Sequence, residues 1–482
     1  MKKLLLFIFL SAACIITMAV APKHLDILFR HADGISFKVR SLPLDSVASA
    51  SHTAGKQSLY DSLTVITHSG RRFSYPLDTM ARVELRPHIP VIYINTDSAV
   101  YDVADKVNYL SARFSMSAGS GVDNDFDSIA PVKVNVRGRG NSTMTMPKKP
   151  YRLKFDKKIS LCGLAKAKNY ALIANYIDPT LMHNTCAFEI ARRMGLEYTN
   201  HSVAVDVVFN GRYCGSYMLT EKVGINAGSV DIDETKGLLL EMDVAMDEDF
   251  CYYSKHFRLP VMVKDPDLKE IAEADTSVTA QQLFDSIQAD FTAAELALLS
   301  QDTEKWRQYF DLESTVRYLL VQNISGNWEF AHPKSLYLYR KNRGEKFYFG
   351  PVWDFDWTAE YFTHYDQEID YGYPLLLGTP ASEMYEQISR SETFWDCYRS
   401  EWHRFKNEIW PETKAYLERY AELLESSALR NGELWHPGRE DHDSRYWEST
   451  SAFRSNLQRY INWIDRRMEY IDQSAAMNHY NF

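Results

Sequence analysis

The sequence predicts an α+β protein with a β-rich N-terminal half and a helix-rich C-terminal half, preceded by a small β unit. In the first half, short stretches such as Val203–Phe209 alternate inward and outward residues and end at turn residues, as strands do. From Val278 onward, apolar residues recur at spacings of three and four, which indicates amphipathic helices. The chain has 482 residues, enough for two or three domains, so we expect two lobes with a cleft between them.

The overall composition argues against several classes of protein. The formal net charge is −10, which argues against a general nucleic-acid binder. The chain has 6 cysteines, none of them in a Cys-x-x-Cys pair, which argues against a dense disulfide framework and against a zinc ribbon. One disulfide stays open, because cysteine spacing alone does not pair the residues.

Residues 1–21 are predicted to be a signal or anchor segment, because two lysines precede an apolar core. Three fates of this segment are open. Ala19-Val20-Ala21 offers a small-residue cleavage site, and Ser11–Cys14 resembles a lipoprotein box that would be lipidated at Cys14. The third fate is an uncleaved N-terminal anchor. Each fate places the chain outside the cytoplasm, in the periplasm or at the cell surface, with membrane attachment through this segment as one outcome.

Residues 22–87 are predicted to form a small all-β unit with an internal repeat. The stretches 27–47 and 65–85 share an alternating strand, a glycine turn at Gly34 or Gly70, and a second strand. The Ser/Ala-rich stretch 46–56 between them is predicted to be a linker. The unit is either a spacer that holds the main domain off a membrane or a packing element, and the sequence does not separate the two.

Residues 88–482 are predicted to form the main domain, which opens with a strand at Val91–Ile94. Asn210-Gly211 is a strong two-residue hairpin signal. The stretch 181–194 has apolar residues four apart and ends before Gly195, as a helix does. Further helices are predicted at 280–287, 293–299, 312–324, 382–428 and 454–474.

A glycine-containing turn joins two basic strands in this domain. The strand Val132–Val136 runs into the turn Arg137-Gly138-Arg139-Gly140-Asn141, and a second strand follows at Tyr151–Phe155. Glycine lets backbone N–H groups approach a phosphate, while Arg and Lys supply the opposite charge. The alternative is a solvated basic hairpin without a ligand.

Asp354 and Asp356 stand one residue apart among large aromatic residues, after a predicted hairpin at 336–349. In an extended segment, residues i and i+2 point to the same side, so both carboxylates are expected to face one point. Two such oxygen donors suit Mg²⁺ or Mn²⁺. The alternative is one aspartate that caps a turn and one that pairs with a base. Asp441–Asp443 is a weaker metal candidate, because it has no second histidine close by.

Together these stretches resemble the CotH family, which is named for a spore-coat protein and regarded as a family of atypical, secreted protein kinases. The resemblance runs in order from residue 137 to residue 357. It rests on the segments RGRGNS (137–142), PKKPYRLKFDKK (147–158), LCGLAKAKNYALIANYID (161–178), LMHNTCAFEIARRMGL (181–196), NGRYCGSYMLTEKV (210–223), GLLLEMD (237–243) and FGPVWDFDW (349–357).

The resemblance implies a kinase-like fold of two lobes that binds ATP with Mg²⁺ or Mn²⁺ and phosphorylates Ser or Thr of surface or secreted proteins. It assigns roles by position. The candidate catalytic residues are Glu329 and Asp354, and the metal ligands are Asp354, Asp356 and Ser335. The candidate nucleotide and phosphate contacts are Arg137, Gly138, Arg139, Gly140, Asn141, Lys149, Lys154, Glu189, Glu221 and Asp243.

The chain departs from the family at two of these positions. Active relatives carry Asp where this chain has Glu329, and they carry Asn where it has Ser335. A carboxylate displaced by about 1 Å costs ~10²-fold in such a site. A second hypothesis is therefore a catalytically impaired scaffold or binding protein with the same fold and an unknown partner. A metal-dependent hydrolase ranks last, because no matching His/Asp ligand set stands in the sequence.

Overall fold

The computed structural model describes the chain in several ranges. They are 24–30, 37–43, 47–53, 62–77, 80–86, 88–98, 103, 105–330, 332–359, 380–435 and 453–473. The predicted N-terminal segment 1–21, the turn at Gly34 and the loop Asp441–Asp443 lie outside these ranges. None of the helices inside them is both long and apolar enough to cross a membrane.

The N-terminal part contains six strands in two three-stranded sheets. The strands are β1 (His24–Arg30), β2 (Phe37–Pro43), β3 (Val47–Thr53), β4 (Ser62–Thr67), β5 (Arg72–Pro76) and β6 (Met80–Arg86). Their orders are β2-β1-β6 and β3-β4-β5. Both predicted hairpins form, as β1–β2 and β4–β5. The boundary at residue 87 stays a prediction.

The predicted linker at 46–56 is wrong, because most of it is strand β3. Small polar residues have low strand propensity, but β3 pairs along its whole length with β4. Leu63 and Val65 of β4 are buried with Leu25 and Ile27 of β1 in a small core of their own. Partners in the sheets therefore outweigh the composition of the segment.

A closed barrel follows. Its strands are β7 (Val91–Thr96), β8 (Leu110–Met116), β11 (Ile129–Gly138), β12 (Tyr151–Ile159), β13 (Ala167–Ile173), β14 (Val203–Phe209) and β15 (Arg212–Glu221). Their order is β11-β12-β13-β15-β14-β7-β8, and β7 and β14 run parallel. The short strands β9 (Gly119–Ser120) and β10 (Asp125–Phe126) pair beside it. The hairpin predicted at Asn210-Gly211 is confirmed as β14–β15.

A second sheet has three strands before helices of the C-terminal part and two strands after them. Its strands are β16 (Leu238–Met242), β17 (Cys251–Tyr253), β18 (Pro260–Asp265), β19 (Leu336–Arg340) and β20 (Tyr348–Phe349). Their order is β17-β18-β16-β19-β20. The hairpin predicted at 336–349 is confirmed as β19–β20. Strand β16 is buried at every residue, which fits its central place in this sheet.

The helices dominate the C-terminal part. They are α1 (His183–Met194), α2 (Leu268–Ala274), α3 (Ala280–Leu299), α4 (Thr303–Trp306), α5 (Leu312–Ser325), α6 (Pro380–Ile388), α7 (Glu392–Arg404), α8 (Trp410–Trp435) and α9 (Phe453–Gln473). Helix α1 ends at Gly195 with φ of 80°, as predicted. The two helices predicted at 280–299 are one helix, because Phe291 continues the buried face across the interval.

One large hydrophobic core joins helices α1, α5, α7, α8 and α9 to the second sheet, and a separate core fills the barrel. The prediction of an α+β protein with a β-rich first half and a helical C-terminal part is therefore confirmed. The five cysteines among the described residues are all free.

A buried polar network ties helix α8 to the barrel. Arg430 Nη2 donates to Asp206 Oδ2 at 2.9 Å and to His88 Nε2 at 2.7 Å. Because Arg only donates, Nε2 must accept, so Nδ1 carries the hydrogen and donates to Ile89 O at 2.6 Å. Burial lowers the pKa of His88 to about 3, and the positive charge of Arg430 adds to this shift. His88 is therefore neutral at neutral pH.

The low pKa of His88 predicts acid sensitivity of the fold. Below pH ~6.5 the unfolded chain binds a proton at His88 while the folded chain does not, so stability is lost as the pH falls toward about 3. The loss is about 1.4 kcal/mol for each pH unit. Urea unfolding of the wild type and His88→Gln across this window measures it. We expect the wild type to lose stability more steeply, and equal slopes would contradict the assignment.

Candidate functional site

A cavity of about 510 Å³ lies between the barrel and the second sheet. Its walls come from barrel strands β11, β12, β13 and β15, from β16, β18 and β19, and from helix α1. The loop at 353–357 closes one side. The barrel and the second sheet thus bring together residues that are far apart in sequence.

Asp354 and Asp356 both line this cavity, and their role as metal ligands stays a prediction. They lie in a loop, but its backbone is not extended as expected, because Asp354 has φ of 61°, in the left-handed region that Asp tolerates better than most residues. Asn184 of α1 fixes the loop from below. Its Nδ2 donates to Asp356 Oδ1 at 2.5 Å, and its Oδ1 accepts from the Phe355 N–H at 2.9 Å.

Burial and neighbouring negative charge raise the pKa values of both carboxylates. Desolvation raises the pKa of Asp354, and the nearby charge of Glu329 raises it further. Desolvation also raises the pKa of Asp356, followed by the charge of Asp354. Lys334 and Arg139 oppose the shift at Asp354. A cation between the carboxylates would relieve this repulsion, so the residues present fit a divalent metal ion.

The donor set suits a metal that shares its ligands with a substrate. Among the described residues, no three His, Cys, Asp or Glu side chains converge closely enough to hold an ion by themselves. Mg²⁺ is usually held by one or two carboxylates together with phosphate oxygens and waters. The Ser335 hydroxyl stands next to the pair and donates to Asp354 Oδ2 at 3.4 Å.

Glu329 lies in the same cavity, in a 3₁₀ turn at Trp328–Phe330, and is 3 % exposed. Its Oε1 accepts from Lys334 Nζ at 3.2 Å, and His332 Nε2 lies 3.4 Å from its Oε2. Asp243 also lines the cavity and accepts from the Ser335 N–H at 3.2 Å. Burial, followed by the charge of Glu241, raises the pKa of Asp243 to about 6.

The glycine turn forms the opposite rim, and all five of its predicted residues, 137–141, line the cavity. A Cβ at Gly138 would collide with the Met144 side chain, and one at Gly140 would collide with Thr143 Oγ1. Arg139 places its guanidinium carbon 5.6 Å from the ring centre of Trp353. The turn therefore packs against the aspartate loop, as the two predicted halves of one site should.

Four predicted contacts are not in the cavity lining. Lys149 Nζ donates to Met144 O at 2.7 Å, and Lys154 lies over the Tyr109 ring, 5.7 Å from its centre. Glu189 accepts from Arg192 and Arg193 of its own helix, with Nε–O distances of 3.0 and 2.6 Å. Glu221 is bound by the N–H and the ring of His201, at 3.0 and 2.7 Å. Lys149, Glu189 and Glu221 have local hydrogen-bond partners, and Lys154 has a ring contact; all four lie outside the cavity lining, and their assignment to a nucleotide stays a prediction.

The cavity lining instead contains five cations that the sequence analysis did not assign. They are Lys106, Arg152, Lys222, Lys264 and Lys334. Lys264 Nζ is paired with Glu241 and Glu248, at 2.7 Å from each. Lys222 has no hydrogen bond or ion pair within the described part of the chain. Desolvation, followed by the like charges of Arg152 and Lys264, lowers the pKa of Lys222 to about 8. In the sequence, the one sign of a role for Lys222 is its position directly after strand β15.

The cavity thus combines a carboxylate pair, a buried glutamate and a cluster of cations around a glycine turn. A search of curated proteins found no match. A family model described as CotH kinase protein matches residues 136–471. This range includes every residue of the cavity lining except Lys106 and Val107. On this match, which spans most of its length, the chain belongs to the CotH family.

Proposed function

We propose that this protein binds ATP with a divalent cation in the cavity and transfers the terminal phosphoryl group to Ser or Thr of surface or secreted proteins. The observation that carries the proposal is that Asp354 and Asp356 line the same cavity as a group of cations, among them Arg152 and Lys222. Phosphoryl transfer depends on such charge neutralisation and on positioning. The proposal includes a two-lobed, kinase-like arrangement of the barrel and the helical part, and a location outside the cytoplasm.

Arg152, Lys222 and the glycine turn are the groups we assign to the phosphates. Among the described residues Lys222 forms no hydrogen bond or close ion pair, and Asp265 and Glu248 only partly offset the like charges of Arg152 and Lys264, so an anion would compensate it further. Glycine at positions 138 and 140 lets the Met144 and Thr143 side chains pack against the turn, which keeps it compact at the rim of the cavity, beside the Arg139 side chain.

Asp354 and Asp356 would hold the metal ion, with the Ser335 hydroxyl beside them. A bound divalent cation supplies positive charge to the phosphate oxygens and aligns them. Asn184 holds the aspartate loop in place from helix α1. The protein's own contribution is thus a fixed pair of carboxylates that faces the cation cluster.

Glu329 is the group we assign to accept the proton of the acceptor hydroxyl. Lys334 Nζ donates to its Oε1 at 3.2 Å and orients the carboxylate. Lys334 in turn lies 5.7 Å from the ring centre of Trp357, at the edge of the cavity. The side chain of Glu329 is one methylene longer than the aspartate of active relatives. The 3₁₀ turn Trp328–Phe330 fixes the backbone from which this side chain extends.

The second candidate is a protein that binds nucleotide or a partner without transfer. The observation that favours it is the ion pair of Glu329, because a base engaged by Lys334 and His332 must be released before it accepts a proton. Ser335 points the same way, since a single hydroxyl is a weaker metal ligand than an amide carbonyl. Nucleotide binding and transfer therefore need separate measurements.

Nucleotide binding by the full chain should require metal and Asp354. We expect ATP with Mg²⁺ or Mn²⁺ to raise the melting temperature by roughly 2–5 °C at ligand concentrations far above Kd. Asp354→Asn should abolish the metal-dependent part of the shift. Glu234→Gln, at an exposed acid outside the cavity lining, is the matched control. No shift with any metal would overturn the proposal.

Transfer should depend on Glu329 more than binding does. We expect Glu329→Gln to lower the rate of labelled phosphate transfer from ATP by about 10²–10⁴-fold while leaving the thermal shift unchanged. Glu329→Asp keeps the charge and tests the reach. If the wild type binds ATP and neither it nor Glu329→Asp transfers phosphate, the binding-only candidate is the correct one.

Lys222→Met should separate stability from ligand binding. At pH 7 the lysine is charged in both folded and unfolded states, and its burial cost falls on the folded state, so its removal should raise stability by about 1–3 kcal/mol. ATP affinity should fall at least about tenfold. Denaturant unfolding and ATP titration measure the two effects.

Lys148→Met is the matched control for Lys222→Met. Lys148 is fully buried, and its Nζ donates to Ala174 O at 2.7 Å, to Asn431 Oδ1 at 2.8 Å and to Ser216 O. Its removal leaves these acceptors unpaired and should cost about 3 kcal/mol or more. A loss of stability in both variants would contradict the special status of Lys222.

A further inference from the structure

The outer face of the barrel beside the cavity is strongly basic. In strands β8, β11 and β12 the inward residues are apolar and buried, so the residues between them face outward. Toward the cavity end of these strands the outward residues include five cations, which together we call the basic face: Arg113, Lys133, Arg137, Arg152 and Lys154. This face stands out because the whole chain has a net charge of −10.

The basic face contains two like-charge pairs across neighbouring strands. Arg113 stands directly opposite Lys133, and Arg137 stands directly opposite Arg152. Like charges placed opposite one another destabilise a sheet. A surface that served only to be soluble would not need two such pairs side by side, whereas an anionic partner would relieve both.

The chain itself supplies little opposite charge to this face. Asp156 Oδ2 lies 3.7 Å from Lys133 Nζ, and both side chains are more than half exposed. Asp105 and Glu248 act on Arg137 and Arg152 only through space, without a hydrogen bond or close ion pair to either among the described residues. The face therefore retains excess positive charge.

The basic face is continuous with the cavity. Arg137 and Arg152 belong to both, because they line the cavity and also end the two outward rows. From Arg137 to Lys133 there are four residues along β11, which is about 13 Å in a strand. An extended peptide covers that distance with about four residues.

We propose that the basic face binds an acidic segment of the protein acceptor and so guides its Ser or Thr to Glu329. The acceptor role rests on the proposed function, while the binding of an acidic segment stands by itself. The geometry assigns the acidic residues to Arg113, Lys133 and Lys154, because Arg137 and Arg152 at the cavity end of the face serve the phosphates.

A protein segment fits this face better than a nucleic acid or a membrane. The face is three strands wide, about 10 Å, which is the width of one extended chain. A large polyanion or an anionic bilayer would also meet the negative charge of the rest of the molecule. The nearest aromatic ring, Tyr109, is covered by Arg137 at 4.8 Å and Lys154 at 5.7 Å, so it is not open to a stacking base.

The test uses the full chain and a labelled peptide with one Ser flanked by Asp and Glu, compared with the same peptide carrying Asn and Gln. Fluorescence anisotropy should show binding of the acidic peptide only, weakened by added salt. Arg113→Glu and Lys133→Glu should each weaken it roughly fivefold or more. Each variant also creates an opposite-charge cross-strand pair, so folding should not suffer. Lys255→Glu, an exposed lysine off this face, is the matched control.

Several outcomes would overturn the proposal. They are equal binding of both peptides, equal loss in Lys255→Glu, or tighter binding to an oligonucleotide or to vesicles of anionic lipid than to the acidic peptide. The ATP thermal shift is measured on the same variants, neither of which alters a cavity residue. Peptide binding without an ATP shift would reject the kinase function and keep the docking surface, and an ATP shift without peptide binding would do the reverse.

Discussion

The rest of the structure depends on one constraint, which is that a buried cavity holds carboxylates and cations whose charges the protein itself only partly compensates. Asp354 is repelled by Glu329 and Asp356 by Asp354, while Lys222 lies near the like charges of Arg152 and Lys264, which Asp265 and Glu248 offset only in part. Lys334 offsets the carboxylates only in part. Arg152 and Lys222 come from the barrel, whereas the aspartates lie in a loop after the second sheet, so burial of both charges costs stability and leaves room for a ligand that carries both kinds of charge.

Short sequence patterns predicted the cavity residues that stand within a few positions of one another in the chain. The Asp-x-Asp pair and the glycine turn each lie within a few residues, and both reached the cavity. The pair nevertheless converges through a loop with a left-handed Asp354, which alternation along a strand does not describe. Hairpins at 203–221 and 336–349 were also predictable, since turn residues and alternation specify them locally.

The residues that sequence reasoning missed depend on closure of the barrel. Arg152 faces the cavity only because β12 lies between β11 and β13, and Lys222 only because β15 ends where it does. Glu189 and Glu221 lie outside the cavity lining, and their assignment to a nucleotide stays a prediction. Each accepts hydrogen bonds from arginine or histidine residues close to it in the fold, which a short sequence pattern does not reveal. The strand β3 shows the same limit, because its pairing partner outweighed its composition.

The closed barrel also decides what the smallest folding unit of this protein is. The family match begins at residue 136, near the end of β11, yet the barrel is completed by β7 and β8, which come earlier in the chain. A chain shortened to the family match would open the barrel and expose the unpaired edges of β12 and β14, which invite aggregation. Strand β7 must also find β14 across more than a hundred residues, and such distant pairing is slow. The segment from Val91 is therefore as much a part of the folding unit as the residues that the family shares.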